Sequence, residues 1–210
     1  MRGCGIRAAL VVTGVILLTV AFWPRGTEKE PEVSPEYPVR DSYTVNITPD
    51  YEASFIQAVR NRDRNAGEIA GEVIGRSYED VLWLAKTLAA ESGPNWPDAF
   101  VMLIGEVVLN RVASPEWPNS IPAVLTDING GIQYAPVHGG TWDEVIPTEH
   151  QIRLAMRLLD GERVLGDKNV VYQALFEQGD QTIVFYYDSD LGTTTYFCAE
   201  YGEEEEYETN

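Results

Sequence analysis

Apolar and polar residues alternate most regularly between positions 77 and 112, where the pattern predicts two helices joined by a short turn. The apolar positions that define one face of the first helix recur at the 3.6-residue period: Val81, Leu84, Ala85 and Leu88. Ser77, followed by a carboxylate three residues later, is typical of a helix N-terminus. The segment Ser92-Gly93-Pro94 is typical of a helix end. We therefore expect the first helix to finish at residue 91.

Glu91 occupies the next position on this apolar face, where the pattern would place a buried leucine. A carboxyl group at an apolar helix end loses hydration, and its pKa rises because the charged form is disfavoured. A raised pKa is what a general acid needs at neutral pH. The alternative is a surface glutamate at a frayed helix end, and the periodicity alone leaves both interpretations open.

The second helix of this hairpin, residues 99–112, is apolar on nearly every side, which is typical of a central core helix or a membrane span. Glu106, Asn110 and Arg111 interrupt it and argue against a span. Glu106 and Asn110 are four residues apart on one face, so they belong to one polar site. That site is either a buried hydrogen-bond network or part of a substrate cleft. Arg111 is predicted to be a salt-bridged structural residue.

The segment from residue 127 to residue 140 is a long, glycine-containing loop, and loops of this length in a compact domain are commonly binding loops. Gln133 and Tyr134 lie within it. Together they offer an amide and an aromatic face, which suits a sugar that carries an N-acetyl group. The alternative for Tyr134 is an aromatic residue that only anchors the loop.

The C-terminal half predicts one helix followed by strands. Thr148 with Gln151 has the sequence of a capping box and predicts a helix that continues to Gly161. Three β-rich runs follow at residues 170–176, 182–187 and 194–198. They predict a small antiparallel β-meander beside the helices, so the expected fold class is α+β and mainly helical.

The N-terminal segment, residues 1–23, has two arginines followed by an uncharged apolar run. This pattern predicts a membrane helix that acts as an uncleaved signal anchor, with a secreted protein as the outcome if it is cleaved. The arginines precede the run, so we expect a single span in the cell membrane with the remaining chain outside the cytoplasm.

The rest of the chain divides by composition. Residues 24–50 are a linker rich in Pro and Glu, 51–76 a helical lead-in, 77–200 the main domain and 201–210 an acidic, disordered tail. Whether the lead-in packs on the domain is left open by the sequence. We expect a monomer.

The charge and the chemistry-bearing residue types exclude several function classes. Thirty-three acidic against fifteen basic residues give a net charge of −18, which argues against nucleic-acid binding. Cys4 and Cys198 are predicted to lie on opposite sides of the membrane, so no disulfide between them is expected. His138 and His150 lack the spacing of metal ligands, and we expect neither a metal nor another cofactor.

Six segments together resemble the spore-cortex-lytic type of bacterial cell-wall hydrolase. They are AAESGPNW, GEVVLNRVASPEWPNSI, IQYAPV, PTEHQIRLAMRLLDGE, VVYQALFEQG and YFC, and the resemblance spans residues 78–200. It implies a lysozyme-like fold and cleavage of peptidoglycan glycan strands, with Glu91 at the position of the family's catalytic glutamate. The candidate substrate contacts are Glu106, Asn110, Gln133, Tyr134 and Tyr172.

The reaction chemistry leaves two glycosidase mechanisms open. Hydrolysis normally takes two carboxylates, and Glu106 is a candidate for the second. A lytic transglycosylase needs one, because the muramoyl C6 hydroxyl is an internal nucleophile, and we favour this mechanism at the bond from N-acetylmuramic acid to N-acetylglucosamine. The alternatives from other classes are a zinc-dependent N-acetylmuramoyl-L-alanine amidase and a non-catalytic, membrane-tethered wall-binding protein.

Overall fold

The computed structural model describes residues 50–129 and 132–201 of the chain. The predicted membrane helix at 1–23, nearly all of the linker and the acidic tail beyond Tyr201 lie outside these residues. Within them, every helix is too short or too polar to cross a membrane.

The described residues form seven α-helices, one short 3-10 turn and three strands. The helices are α1 (Tyr51–Asn61), α2 (Arg64–Ile74), α3 (Tyr78–Glu91), α4 (Asp98–Ala113), α5 (Ile121–Thr126), α6 (Ala135–His138) and α7 (Glu149–Leu159), with the 3-10 turn at Trp142–Glu144. The strands are β1 (Val170–Ala174), β2 (Gln181–Asp188) and β3 (Thr193–Ala199). The predicted helical hairpin is confirmed, and so is the capping box at Thr148 and Gln151.

Helix α4 lies at the centre of the core, in contact with α3, α5, α7 and β1. Its side chains are buried from Val101 to Val108, as expected for a helix that is apolar on nearly every side. Helices α1 and α2 join the same core through Phe55, Val59 and Ala70. The helical lead-in therefore packs on the domain, which the sequence had left open.

The sheet is antiparallel, as predicted, but it is not a meander. Its strand order is β1-β3-β2, so the last strand lies between the first two. After β1 the chain turns back, so that β2 begins beside Ala199, the residue of β3 that also pairs with the start of β1. At this return Asp180 donates its backbone N–H to the Ala199 carbonyl, at 2.9 Å. Gly179 lies so close (φ +63°) that a Cβ there would be 2.4 Å from that oxygen. An alternating pattern of apolar and polar residues predicts where strands lie but not which strands pair, and the predicted meander was therefore wrong.

Glu106 on α4 is 1% exposed and holds the chain segment that precedes β1. Its carboxylate accepts backbone N–H bonds from Val164 and Gly166 at 2.7 and 2.6 Å, and from Leu165 at 3.3 Å. A buried carboxylate is tolerated when donors satisfy it in this way. Glu106 thus holds in place residues 164–166, which lead into β1.

We expect Glu106→Gln to lower the free energy of unfolding by about 2–3 kcal/mol, because an amide places an NH2 group where both oxygens now accept backbone hydrogen bonds. Urea denaturation measures this loss. The matched control, Glu72→Gln on the exposed side of α2, should stay within about 0.5 kcal/mol of the wild type. Equal stability of the two variants would contradict the assigned role of Glu106.

Candidate active site

Glu91 is the last residue of α3, and its side chain is largely buried. Burial raises the pKa of Glu91 to about 7, because the charged form loses hydration. The C-terminal end of a helix carries the negative end of the helix dipole and disfavours a carboxylate as well. Glu91 accepts no hydrogen bond from the described residues that would favour its charged form. The side chain is thus suited to hold a proton near neutral pH and release it to a substrate.

The turn that follows Glu91 is fastened to the end of β2. Trp96 donates its indole N–H to Asp188 Oδ2 at 2.7 Å, and Asn95 donates its amide to Asp190 Oδ2 at 2.7 Å. Gly93 lies against this pair, since a Cβ there would be 2.6 Å from Asp188 Oδ2 and from the indole. The bond from Trp96 lowers the pKa of Asp188 and keeps it charged. The sheet therefore fixes the backbone immediately after the candidate acid.

Sequence reasoning missed this clamp. The sequence pattern identifies Gly93 only as part of a helix end, and it assigns no role to Asp188. The local signal for Asp188 is its position before a turn, where its other carboxylate oxygen accepts the backbone N–H groups of Asp190 and Leu191. Its partnership with Trp96, 92 positions away, has no local signal.

Arg111 is 1% exposed and lies within a ring of aromatic side chains. Its guanidinium carbon is 4.2 Å from the ring centre of Trp117, 5.5 Å from that of Tyr134 and 5.9 Å from that of Tyr172. Its Nε donates to the Val171 carbonyl at 2.6 Å, and Nη2 to Gln133 Oε1 at 3.3 Å. Arg111 makes no salt bridge in the described part of the chain, so the prediction of a salt-bridged arginine was wrong.

Tyr134 belongs to this ring of aromatic side chains. It is 5% exposed, and its hydroxyl is buried without a hydrogen-bond partner among the described residues. Burial raises the pKa of Tyr134, the Arg111 charge lowers it, and the Glu91 charge raises it. The structure brings the predicted residues Gln133 and Tyr134 together with Arg111.

Glu106 and Asn110, both expected from the sequence to contact substrate, form hydrogen bonds to the backbone. Both oxygens of Glu106 accept from backbone, as described above. The Asn110 amide donates to the carbonyls of Asp167 and Val170, each at 2.9 Å. The buried hydrogen-bond network that the sequence offered as one interpretation is therefore present.

Tyr172 packs edge-on against Trp117, with ring centres 6.4 Å apart. Its hydroxyl donates to the Glu200 carboxylate, and burial followed by this bond raises the pKa of Tyr172 to about 12. The hydroxyl is occupied, so what Tyr172 offers a ligand is its ring.

A cleft of about 470 Å³ opens beside the same aromatic ring, lined mainly by residues 113–117, 168–169 and 200–201. Trp117 forms one of its walls, whereas Glu91 does not line it. Asn110 of α4 also lines this cleft, and its predicted contact with substrate stays a prediction.

In the two described ranges, no three His, Cys, Asp or Glu side chains gather as metal ligands. His150 instead contacts Asp98 Oδ1 through Nε2, at 2.7 Å.

Residues 98–199 match the family model described as Cell Wall Hydrolase, from the start of α4 to the end of β3. No curated protein and no solved structure matches the chain. The matched range begins seven residues after Glu91 and includes the Arg111 cluster. The resemblance to cell-wall hydrolases is confirmed.

The raised pKa of Glu91 predicts a pH-dependent stability. Between its ordinary pKa of 4.5 and about 7, the folded protein holds a proton that the unfolded chain has released. The free energy of unfolding therefore falls as pH rises through this window. Glu91→Gln removes the effect, so near pH 8 it should exceed the wild type by up to about 3 kcal/mol, with little difference near pH 4.

Urea denaturation at the two pH values measures this difference. Glu144→Gln, an exposed glutamate in the 3-10 turn, serves as the control and should follow the wild type at both. A constant difference between Glu91→Gln and wild type across pH would show that Glu91 titrates normally.

Proposed function

We propose that the protein cleaves peptidoglycan glycan strands as a lytic transglycosylase, a proposal supported by the match of residues 98–199 to the Cell Wall Hydrolase family model. The observation that carries the proposal is Glu91, a carboxyl group buried at a helix end with a pKa of about 7. It acts as the general acid at the bond from N-acetylmuramic acid to N-acetylglucosamine. The glycan strand is its substrate, and no cofactor takes part.

The proposed reaction has two proton transfers through one carboxyl group. Glu91 donates its proton to the glycosidic oxygen as the bond from the muramoyl C1 to that oxygen breaks. The muramoyl C6 hydroxyl attacks C1 and forms the new C1–O6 bond. Its proton goes to the Glu91 carboxylate, which restores the acid and leaves a 1,6-anhydro end.

The structural role of Glu106 supports this mechanism over hydrolysis. A hydrolase of the usual kind needs a second carboxylate as nucleophile or base. Glu106 was the candidate for that role, but its oxygens are engaged by three backbone N–H groups inside the protein. It is not free to activate a water.

We extend the proposal to the fold and the location. The arrangement of helices around α4 with one small sheet supports the lysozyme-like architecture that the family resemblance implies. An extracytoplasmic domain anchored by residues 1–23 matches a substrate outside the membrane, and it rests on the sequence pattern of that segment.

Mass spectrometry of digested peptidoglycan tests the product. We expect 1,6-anhydro-muropeptides with the wild-type protein and none with Glu91→Gln, because the amide cannot donate the proton. Reducing muramic acid ends would indicate hydrolysis, and cleaved stem peptides with intact glycans would indicate an amidase. Glycan binding without any cleavage would indicate a wall-binding protein.

The pH dependence of kcat/KM tests the acid. Only protonated Glu91 donates, so kcat/KM should fall about tenfold per pH unit above a midpoint of about 7. Initial rates on solubilised glycan strands over a pH series measure the midpoint. A midpoint near 4.5, the ordinary value for a glutamate, would contradict the role of burial.

A further inference from the structure

The cleft beside Trp117 is a concave site that the proposed reaction at Glu91 leaves without a role. It encloses about 470 Å³, which is within the range of about 300–1,000 Å³ that is typical of ligand pockets. It lies where the end of α4 and residues 113–117 meet the residues just before β1 and just after β3. Its lining combines an amide, an aromatic ring and charges of both signs, and this combination indicates the chemistry of a ligand.

Asn110 contributes a largely buried polar atom to the cleft. It lines the cleft and is only 8% exposed. Both N–H bonds of its amide are used by the carbonyls of Asp167 and Val170, which also fixes the orientation of the amide. Its Oδ1 accepts no hydrogen bond from the described residues and is the polar atom left for a ligand. A buried amide oxygen is usually hydrogen-bonded, so Oδ1 suits an N–H group of a ligand.

Trp117 gives the cleft a fixed apolar wall. The guanidinium carbon of Arg111, a residue that is 1% exposed, lies 4.2 Å from its ring centre. The ring of Tyr172 packs edge-on against it, with ring centres 6.4 Å apart. A ring that is already held in place loses little conformational freedom when a ligand binds. The wall therefore suits a small apolar group such as a methyl.

The charged side chains of the lining include both signs. Glu116 and Glu200 line the cleft, and the Glu200 carboxylate is held by the Tyr172 hydroxyl. These carboxylates can bind an ammonium group. Lys168 also lines the cleft, and its ammonium attracts a carboxylate. Complementary charges favour a ligand that carries an amine and a carboxylate.

We propose that this cleft binds the peptide stem of peptidoglycan at a residue that carries an amine. The stem offers a backbone N–H to Asn110 Oδ1, an alanine methyl to Trp117 and an ammonium to Glu116 and Glu200. The glycan strand itself is uncharged and makes no use of these charges. The choice of the peptidoglycan stem rests on the proposed function.

The cleft would act on substrate selection. Contacts to a part of the substrate that does not react lower KM when they are made equally in the ground state and the transition state. Strands that carry stems should therefore be bound more tightly than strands from which the stems have been removed.

Calorimetric titration of the full chain with the synthetic tetrapeptide L-Ala-γ-D-Glu-L-Lys-D-Ala tests the site without requiring activity. We expect binding that weakens about fivefold in Glu116→Gln, because an ion pair with the lysine ammonium is lost. Acetylation of that lysine should weaken binding by a similar factor. Glu72→Gln, the exposed control on α2, should bind as the wild type does. Absence of binding, or equal affinity for the acetylated peptide, would overturn the inference.

NMR of the wild-type protein locates the peptide and does not depend on how a variant folds. The indole N–H resonance of Trp117 should shift as the tetrapeptide is added and stay constant as N-acetylglucosamine is added. A shift with the sugar and none with the peptide would make the cleft a sugar site and overturn the inference.

Kinetics separate this inference from the proposed function. The wild-type KM should be lower on strands with stems than on strands stripped of stems, and this difference should shrink when Glu116→Gln and Glu200→Gln are combined. An active enzyme with equal KM on both substrates would overturn the role of the stem. If the protein cleaves no peptidoglycan, the proposed function fails, and the two titrations still decide whether the cleft binds the peptide.

Discussion

The structure depends on one constraint, the hydrogen bonds that join a buried helix to the chain entering the sheet. Helix α4 is apolar on nearly every side, yet it carries Glu106, Asn110 and Arg111 into the core. Each bonds to backbone between residues 164 and 171. Buried polar groups must find partners, and here the partners are supplied by the segment leading into β1 and by β1 itself. The helix and the sheet are therefore held in one fixed relation.

That fixed relation is what gives Glu91 its environment. Because the sheet is fastened to α4, the end of β2 can hold Trp96 through Asp188, and this ties down the turn after α3. Glu91 lies at this helix end with its side chain largely buried, and burial raises its pKa. A surface glutamate on a frayed helix would keep an ordinary pKa, since hydration would favour its charged form. The clamp is thus as much a part of the candidate site as the acid.

Local patterns predicted the parts of this molecule that depend on local physics. The helical hairpin, its caps and the unusual place of Glu91 on an apolar face all follow from periodicity and end signals. The strand order did not, because alternation identifies a strand without naming its neighbour. The partners of Glu106 and Asn110 lie about sixty residues away, so the sequence could place the two on one face but could not say what they face. We predicted a salt bridge from Arg111 to a carboxylate, whereas its guanidinium packs against aromatic rings.

The polar residues of α4 differ in whether their hydrogen-bonding groups all find partners, and their spacing in the sequence does not show this difference. Both carboxylate oxygens of Glu106 accept backbone hydrogen bonds, which stabilises the fold. Arg111 keeps one buried nitrogen without a partner among the described residues, which is destabilising. The hydroxyl of Tyr134 beside it is also unpaired. Costs of this kind persist where function uses them, since selection for stability alone would pair or remove such groups. Glu106, whose two oxygens both accept hydrogen bonds, has the contacts of a structural residue, whereas Arg111 and Tyr134 each keep a buried polar atom without a partner among the described residues.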